Sequence, residues 1–310
     1  MDGRIFNYSA QQKRKALVFG GKGYIGSQFL NTLQKSGFEC LSPSVKELNI
    51  LNEPDKLFKF IETHRSELKF VINCAGYVGI PNVDACELHK TETYTGNVLL
   101  PVVLAMACEK YDLELLHVSS GCIYSGHKII DGKIKGYTEE DEPNFSFDSP
   151  PCSFYSGTKA EGEKKLLPFK NVYVARLRIP FDKFDNPRNY LTKVQKYDKL
   201  LDDTNSISHR EEFVKACVYI LNNKEALPGI YNITNTGHVT TKEVAVLVKH
   251  GLKLNKSFSF FKNAEEFYGE AASTPRSNCV MDNSKLLSIG FKMRPATDAI
   301  IASLKEWKKE

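Results

Sequence analysis

The chain of 310 residues has no Cys-x-x-Cys pair and no histidine cluster at metal-ligand spacing, although it carries eight cysteines, at positions 40, 74, 86, 108, 122, 152, 217 and 279. Their scatter excludes a zinc ribbon and a disulfide scaffold, and it fits a reducing, cytoplasmic-type compartment with no metal. No stretch is apolar for long enough to span a bilayer, so no membrane partner is expected. The N-terminus is polar and ends in Lys13-Arg14-Lys15 rather than in a signal-peptide core, and residues 1–14 are expected to be a disordered tail. Charge of one sign is also missing: 42 basic residues face 37 acidic ones for a net +5, without the basic stripe that nucleic-acid binding requires. Small anions stay compatible with this surface. Internal repeats and low-complexity segments are absent.

What is present is a globular pattern. Hydrophobic residues make up 42% of the chain, enough at this length for a sizeable core without disulfides or metal. From Ala16 onward short apolar runs alternate with helical stretches, the order of a parallel sheet covered by helices. Strands are expected at 16–19, 70–73, 115–119 and 172–175, with a second strand ending in 40–44, and helices at 25–34, 55–63, 97–111 and 156–167. Pro101 is expected to bend or start a helix. After about Pro180 the alternation weakens into helices near 188–197 and 211–221 and a strand at 230–233. The expected fold is therefore a Rossmann-type doubly wound α/β sheet over 15–180, with the 211–222 helix packing back on it. A smaller C-terminal substrate-binding lobe then takes most of 181–310. The acidic, Pro-rich run 139–151 reads as a loop shielding the mouth of a site.

Gly20-x-x-Gly23-x-x-Gly26 stands between the first strand and the first helix, where glycines let the backbone approach a pyrophosphate at a helix N-terminus. Cys40-Leu41-Ser42-Pro43-Ser44, closing the second strand, lacks the acid that binds the ribose hydroxyls of NAD, which favours NADPH while leaving NADH possible. Lys22 and Lys46 are the cations available for a 2′-phosphate. Ser119 and Ser120 end an apolar strand, the edge at which open α/β sheets place ligands. Tyr155 and Lys159, at i and i+4, share a helix face, so that the ammonium can favour the phenolate of a group whose pKa is normally about 10.

The glycine motif, Asn73-Cys74-Ala75-Gly76, Ser120 and Tyr155-x-x-x-Lys159, in this order, resemble the extended short-chain dehydrogenase/reductase superfamily. That resemblance implies Tyr155 as proton donor, Ser120 as hydrogen-bond partner of the reacting oxygen, Lys159 on the nicotinamide ribose and Asn97 supporting the lysine through water. It also implies cofactor contacts at Gly20, Lys22, Gly23, Tyr24, Ile25, Gly26, Ala75, Gly76 and Pro180. A homodimer built from two helices per subunit is a common superfamily arrangement.

Further stretches resemble the bifunctional enzymes of plants and giant viruses that convert UDP-4-keto-6-deoxyglucose to UDP-rhamnose by 3,5-epimerisation and 4-reduction. They are Pro81-Asn82-Val83-Asp84-x-Cys86-Glu87-x-His89-Lys90, Gly121-Cys122-Ile123, Glu139-Glu140-Asp141-x-Pro143-Asn144-Phe145, Asn186-Pro187-Arg188-Asn189 and Pro275-Arg276-Ser277-Asn278. The resemblance implies a nucleotide-sugar substrate contacted by Asn82, Cys122, Arg188, Asn189 and Arg276, the two arginines being suited to its diphosphate. GDP-fucose synthase, a related epimerase-reductase, uses a cysteine at the place of Cys122 as an epimerisation base. Its histidine in the segment matching 188–193 is missing here, which leaves Lys193, or less readily Lys183 in the loop before it, as the second acid. Glu87 and His89 are read as loop or helix-start hydrogen-bonding groups. Two other readings stay open: a dTDP-4-keto-rhamnose reductase without epimerase activity, and a non-catalytic NADP-binding regulatory subunit.

Overall fold

A computed structural model of the protein describes residues 14–44 and 47–309. The expected tail, apart from Arg14, and Lys46 lie outside the described residues. Six strands, β1 (Lys15–Phe19), β2 (Glu39–Leu41), β3 (Leu68–Asn73), β4 (Glu114–Ser120), β5 (Val172–Leu177) and β6 (Gly229–Asn232), form one sheet in the order β6-β5-β4-β3-β1-β2. Every pairing in it is parallel. Parallel strands covered on both faces need apolar side chains on both, which is why β1 and β3 read as continuous apolar runs. The order in which successive strands are laid down reverses between β1 and β3, and the carboxyl ends of these strands open the crevice where such folds bind ligands.

The helices that support the site are α1 (Tyr24–Lys35), α2 (Pro54–His64), α3 (Leu100–Lys110), α4 (Phe154–Leu166), α5 (Tyr190–Lys196), α6 (Arg210–Ile220), α7 (Thr241–Gly251) and α8 (Ala296–Lys305). One face of the sheet packs on α1 and α6, where the buried rings of Phe29 and Phe213 meet edge to face at 6.4 Å. The other face buries Leu57, Ile61 and Leu104 from α2 and α3. Each such side chain contributes about 1.5–3 kcal/mol by leaving water. A separate core of Phe181, Leu191, Val194, Val244 and Ile300 joins α5, α7 and α8 into the second lobe.

Three local expectations are corrected. The strand read near 230 within the second half is the sixth strand of the main sheet, because the exposed edge of β5 needs a partner and Tyr231 and Asn232 bury on it. The helix read from 97 is a π-helical turn, Thr95–Leu99, followed by α3, with Pro101 in the first turn, where a missing N–H costs nothing. The helix read from 188 starts at Tyr190, because the Asn189 side chain accepts the Leu191 N–H as its cap.

Candidate active site

The turn from β1 into α1 is built for an anion. Gly20 has φ +74°, and a Cβ there would stand 2.7 Å from the Ala75 nitrogen; one on Gly26 would stand 2.1 Å from the Gly20 carbonyl oxygen. Gly23 caps α1 without a side-chain hydrogen bond, and the first turn has no acidic residue, so its N–H groups and dipole stay available for a phosphate. Ile25 is half-buried behind the turn, and the Arg210 guanidinium stacks over Tyr24 at 4.2 Å. Exposed Lys22 flanks the turn. After β2, the Ser42 hydroxyl donates to the Val18 carbonyl, and Glu47, a carboxylate the sequence reading passed over, accepts from the Ser44 N–H and hydroxyl. Those bonds hold Glu47 below the usual carboxylate range, with Lys22 adding to the effect. Among the described residues the rim thus carries both an acid, Glu47, and a cation, Lys22.

Opposite lies the Ala75-Gly76-Tyr77 turn. Asn73 accepts the Ala75 N–H, and its amide meets the ring of His117, a buried histidine that desolvation and then the Lys159 charge hold well below its ordinary pKa. Asn97, fully buried in the π-helical turn, bonds both the N–H and the carbonyl of Tyr77 at 2.9 Å and reaches Thr158 at 3.2 Å. It braces the cofactor-facing turn directly and ties it to α4. A Cβ on Gly76 would stand 2.9 Å from the Asn97 oxygen and 3.9 Å from Lys159 Nζ, a cradle only glycine leaves open. Pro180 pairs with Ser208 in a short parallel bridge at the edge of the second lobe.

Helix α4 carries Tyr155 and Lys159. Ser153 caps it, and Glu87 accepts the Phe154 N–H at 2.7 Å, the hydrogen-bonding role expected of that residue. Lys159 is 5% exposed, with Nζ 3.3 Å from the Val118 carbonyl. Ser120 Oγ accepts the Cys122 N–H at 3.2 Å, and Ser120 favours the ionised forms of the Tyr155 phenol and the Cys122 thiol beside it. Burial sets the proton affinities: it pushes Tyr155 above its ordinary value and Lys159 below. Burial therefore works against the phenolate that the Lys159 ammonium is expected to favour. Burial likewise raises the Cys122 thiol, against the opposing hydrogen bonds from Ser120 and Ser156 and the charges of Arg178 and Lys159.

The second lobe distributes its expected residues unevenly. Lys193, half-buried on α5, has no carboxylate partner among the described residues, and desolvation followed by the Arg188 charge pulls its pKa down. Lys183 is taken by Glu306 at 2.5 Å. Asn189 is fully buried, and its side chain serves Asp182, Phe184 and Leu191, so it shapes the loop. Arg276 grips Asp84 through two bonds of 2.6 and 2.7 Å, and exposed Asn82 caps the Asp84 N–H. Arg188 is exposed beside α5. Arg276, Tyr268, Phe145 and Pro151 line a cavity of about 490 Å³. A larger one of about 620 Å³, lined by Glu139, Glu163, Arg176 and Lys285, lies on the other side of α4 and holds no expected site residue. The 139–151 loop therefore walls both cavities.

Sequence reading also missed Arg178, which is buried and acts electrostatically on both Tyr155 and Cys122. Its signal was a charged residue just past the carboxyl end of a buried strand.

Among the described residues no helix is long and apolar enough to cross a membrane, and no His/Cys/Asp/Glu group could hold a metal. The family model for the RmlD substrate binding domain matches residues 14–309. An Arabidopsis thaliana bifunctional dTDP-4-dehydrorhamnose 3,5-epimerase/reductase is 34% identical over 90% of this chain and 89% of its own length. A trifunctional UDP-glucose 4,6-dehydratase/3,5-epimerase/reductase of the same plant is 33% identical over 93% of this chain, which spans only 41% of that enzyme. The L780 UDP-rhamnose synthase of Acanthamoeba polyphaga mimivirus superposes with a TM-score of 0.85 at 25% identity, covering 95% of this chain and 99% of that one. A dTDP-4-dehydrorhamnose reductase of Bacillus anthracis in complex with NADP shares the fold at a TM-score of 0.77 and 18% identity, covering 96% and 99%.

Proposed function

The chain belongs to the RmlD substrate binding domain family, and from that premise we propose that it is a bifunctional enzyme of UDP-L-rhamnose synthesis. It epimerises UDP-4-keto-6-deoxyglucose at C3 and C5 and then reduces the C4 ketone with NADPH. The reductase half agrees with the 34% identical Arabidopsis relative, whose name includes that activity. The observation that carries the epimerase half is Cys122, buried in the turn after β4, where its N–H donates to Ser120 Oγ at 3.2 Å. The UDP preference follows the likeness to the mimivirus enzyme. Eight unpaired cysteines support a cytoplasmic setting.

The C4 ketone acidifies the hydrogens at C3 and C5, so epimerisation must precede reduction. Removal of such a hydrogen places negative charge on the C4 oxygen, where the Ser120 and Tyr155 hydroxyls donate hydrogen bonds. Cys122 takes the proton from one face of the sugar, and Lys193 returns one to the other. Hydride delivery to C4 builds charge on the same oxygen, and Tyr155 then gives it a proton, which completes the alcohol. The glycine turn, the N-terminal end of α1, Gly76 and Lys159 fit a dinucleotide; NADPH bound there would supply the hydride. Lys159 holds the ribose and Asn97 keeps the Gly76 turn open.

The test is product analysis. Purified protein given UDP-4-keto-6-deoxyglucose and NADPH should form UDP-rhamnose while oxidising one NADPH per sugar. Turnover only after a separate epimerase is added would leave a reductase, and NADPH binding without oxidation would leave a binding subunit.

A further inference from the structure

Arg178 follows the last residue of β5 and is 6% exposed. Its stem lies across Gly121, where an added Cβ would come within 3.5 Å of its Cδ, so it flanks the turn between Ser120 and Cys122. The next residue, Ile179, is held at φ +37°, a left-handed conformation that costs a β-branched residue on the order of 1–3 kcal/mol. Nη2 donates to the Asn205 side chain and to the Ser277 carbonyl, each at 2.5 Å, and Nε is buried with no partner.

A guanidinium keeps its proton, so burying it requires a counter-charge. Among the described residues the buried arginines Arg176 and Arg210 have one, in Glu163 and Asp182, and Arg178 forms no ion pair. Asp203 acts on it from beyond ion-pair distance and is itself held by Asn278. Cys122 does not serve either, because its thiol stays above its ordinary range despite this charge. Asn205 and Ser277 offer dipoles only. Both belong to the second lobe, so the guanidinium stands between that lobe and the reacting turn. Arg276 is already neutralised by Asp84, Arg188 is exposed, and buried Lys159, likewise without an ion pair, is assigned to the cofactor ribose, which leaves Arg178 as the buried arginine among the described residues whose charge no carboxylate meets.

We propose that Arg178 binds the diphosphate of the substrate, its guanidinium facing the phosphoryl oxygens across the sugar ring from Ser120, Cys122 and Tyr155. The inference rests on the reading that the pocket takes a nucleotide sugar. In such a substrate the anomeric phosphate lies across the pyranose from C4, and its fixed negative charge repays the cost of the buried cation.

Calorimetric titration of the NADP⁺-loaded protein with UDP and with uridine tests this. Arg178→Met should weaken UDP by roughly 10- to 100-fold and uridine little, the loss of a charge-assisted contact. Arg178→Lys should recover part of the affinity, keeping the charge without the fork, and it carries the test if the Met variant does not fold. UDP bound as tightly by both variants as by the unaltered protein overturns the assignment, and so does an equal loss of UDP and uridine, which would make Arg178 a structural prop. Unaltered protein that binds neither UDP nor dTDP overturns the nucleotide-sugar reading together with this one.

Discussion

The two sides of α4 treat buried charge in opposite ways. On the side of the larger cavity, Glu163 accepts two bonds from Arg176 and one from Ser119, and the Tyr124 hydroxyl takes the remaining guanidinium edge. The buried Arg176–Glu163 pair there is neutralised within the protein itself. On the other side, Tyr155, Lys159, Cys122 and Arg178 lie near one another with no carboxylate in ion-pair contact among the described residues, and burial moves the proton affinities of the first three away from their ordinary values. Arg176 and Arg178 lie two residues apart, yet one locks a helix onto the sheet and the other waits for a charge from outside. A closed network is a device of the fold; an open one stores a cost that a ligand offsets.

Substitutions on the two sides should therefore separate stability from turnover. Tyr155→Phe should lower NADPH oxidation by about 10²–10⁴-fold, the usual worth of a positioned acid. Its urea midpoint should stay near that of the unaltered protein; a large shift would break the distinction. Glu163→Ala should do the reverse, costing about 3–5 kcal/mol in urea unfolding because Arg176 is left buried and unpaired. The double variant with Arg176→Met should regain part of that loss.

Within the open side the two half-reactions should come apart. Cys122→Ala should depress hydrogen exchange at C3 and C5 more than ketone reduction, by roughly 100-fold in their ratio, the low end of what a general base supplies. The pH dependence follows from burial. The base form of Cys122 appears only as pH rises, and its pKa is held above the ordinary thiol value, so exchange should keep climbing through and beyond that range. Tyr155 is needed protonated and is held up as well, so reduction should not climb with it.

The smallest effect belongs to the Asp84–Arg276 clamp, a partly exposed pair. Arg276 holds the Asp84 carboxyl at about 2, below its ordinary 3.8. A depressed carboxylate stabilises the fold above its unfolded pKa and loses that contribution as pH falls through the folded one. Asp84→Asn should cost on the order of 1 kcal/mol near neutrality. Denaturation series at neutral pH and at pH near 2 should show the gap between variant and parent closing at the acid end.

Much of the nucleotide-binding half was legible because its signals are local. A glycine turn between a strand and a helix, and a tyrosine four residues before a lysine, fix their own geometry within a few residues. What escaped depends on partners far along the chain. Nothing near Arg276 names Asp84, 192 positions earlier, and nothing near Arg178 says that it goes without the carboxylate that Arg176 finds in Glu163. Asn189 looked like a ligand contact in its Asn-Pro-Arg-Asn setting, yet it is a helix cap. The apolar run at β6 could not reveal that it returns to the first half of the molecule, since periodicity sets a strand's faces and leaves its neighbours open.

The most direct test of one pocket serving two reactions is incubation of the protein with UDP-4-keto-6-deoxyglucose in D₂O without NADPH, followed by NMR at C3 and C5. Deuterium should enter both positions with no cofactor oxidised, and later addition of NADPH should yield deuterated UDP-rhamnose. Unlabelled sugar, from protein that still reduces a pre-epimerised ketone, would contradict the bifunctional reading.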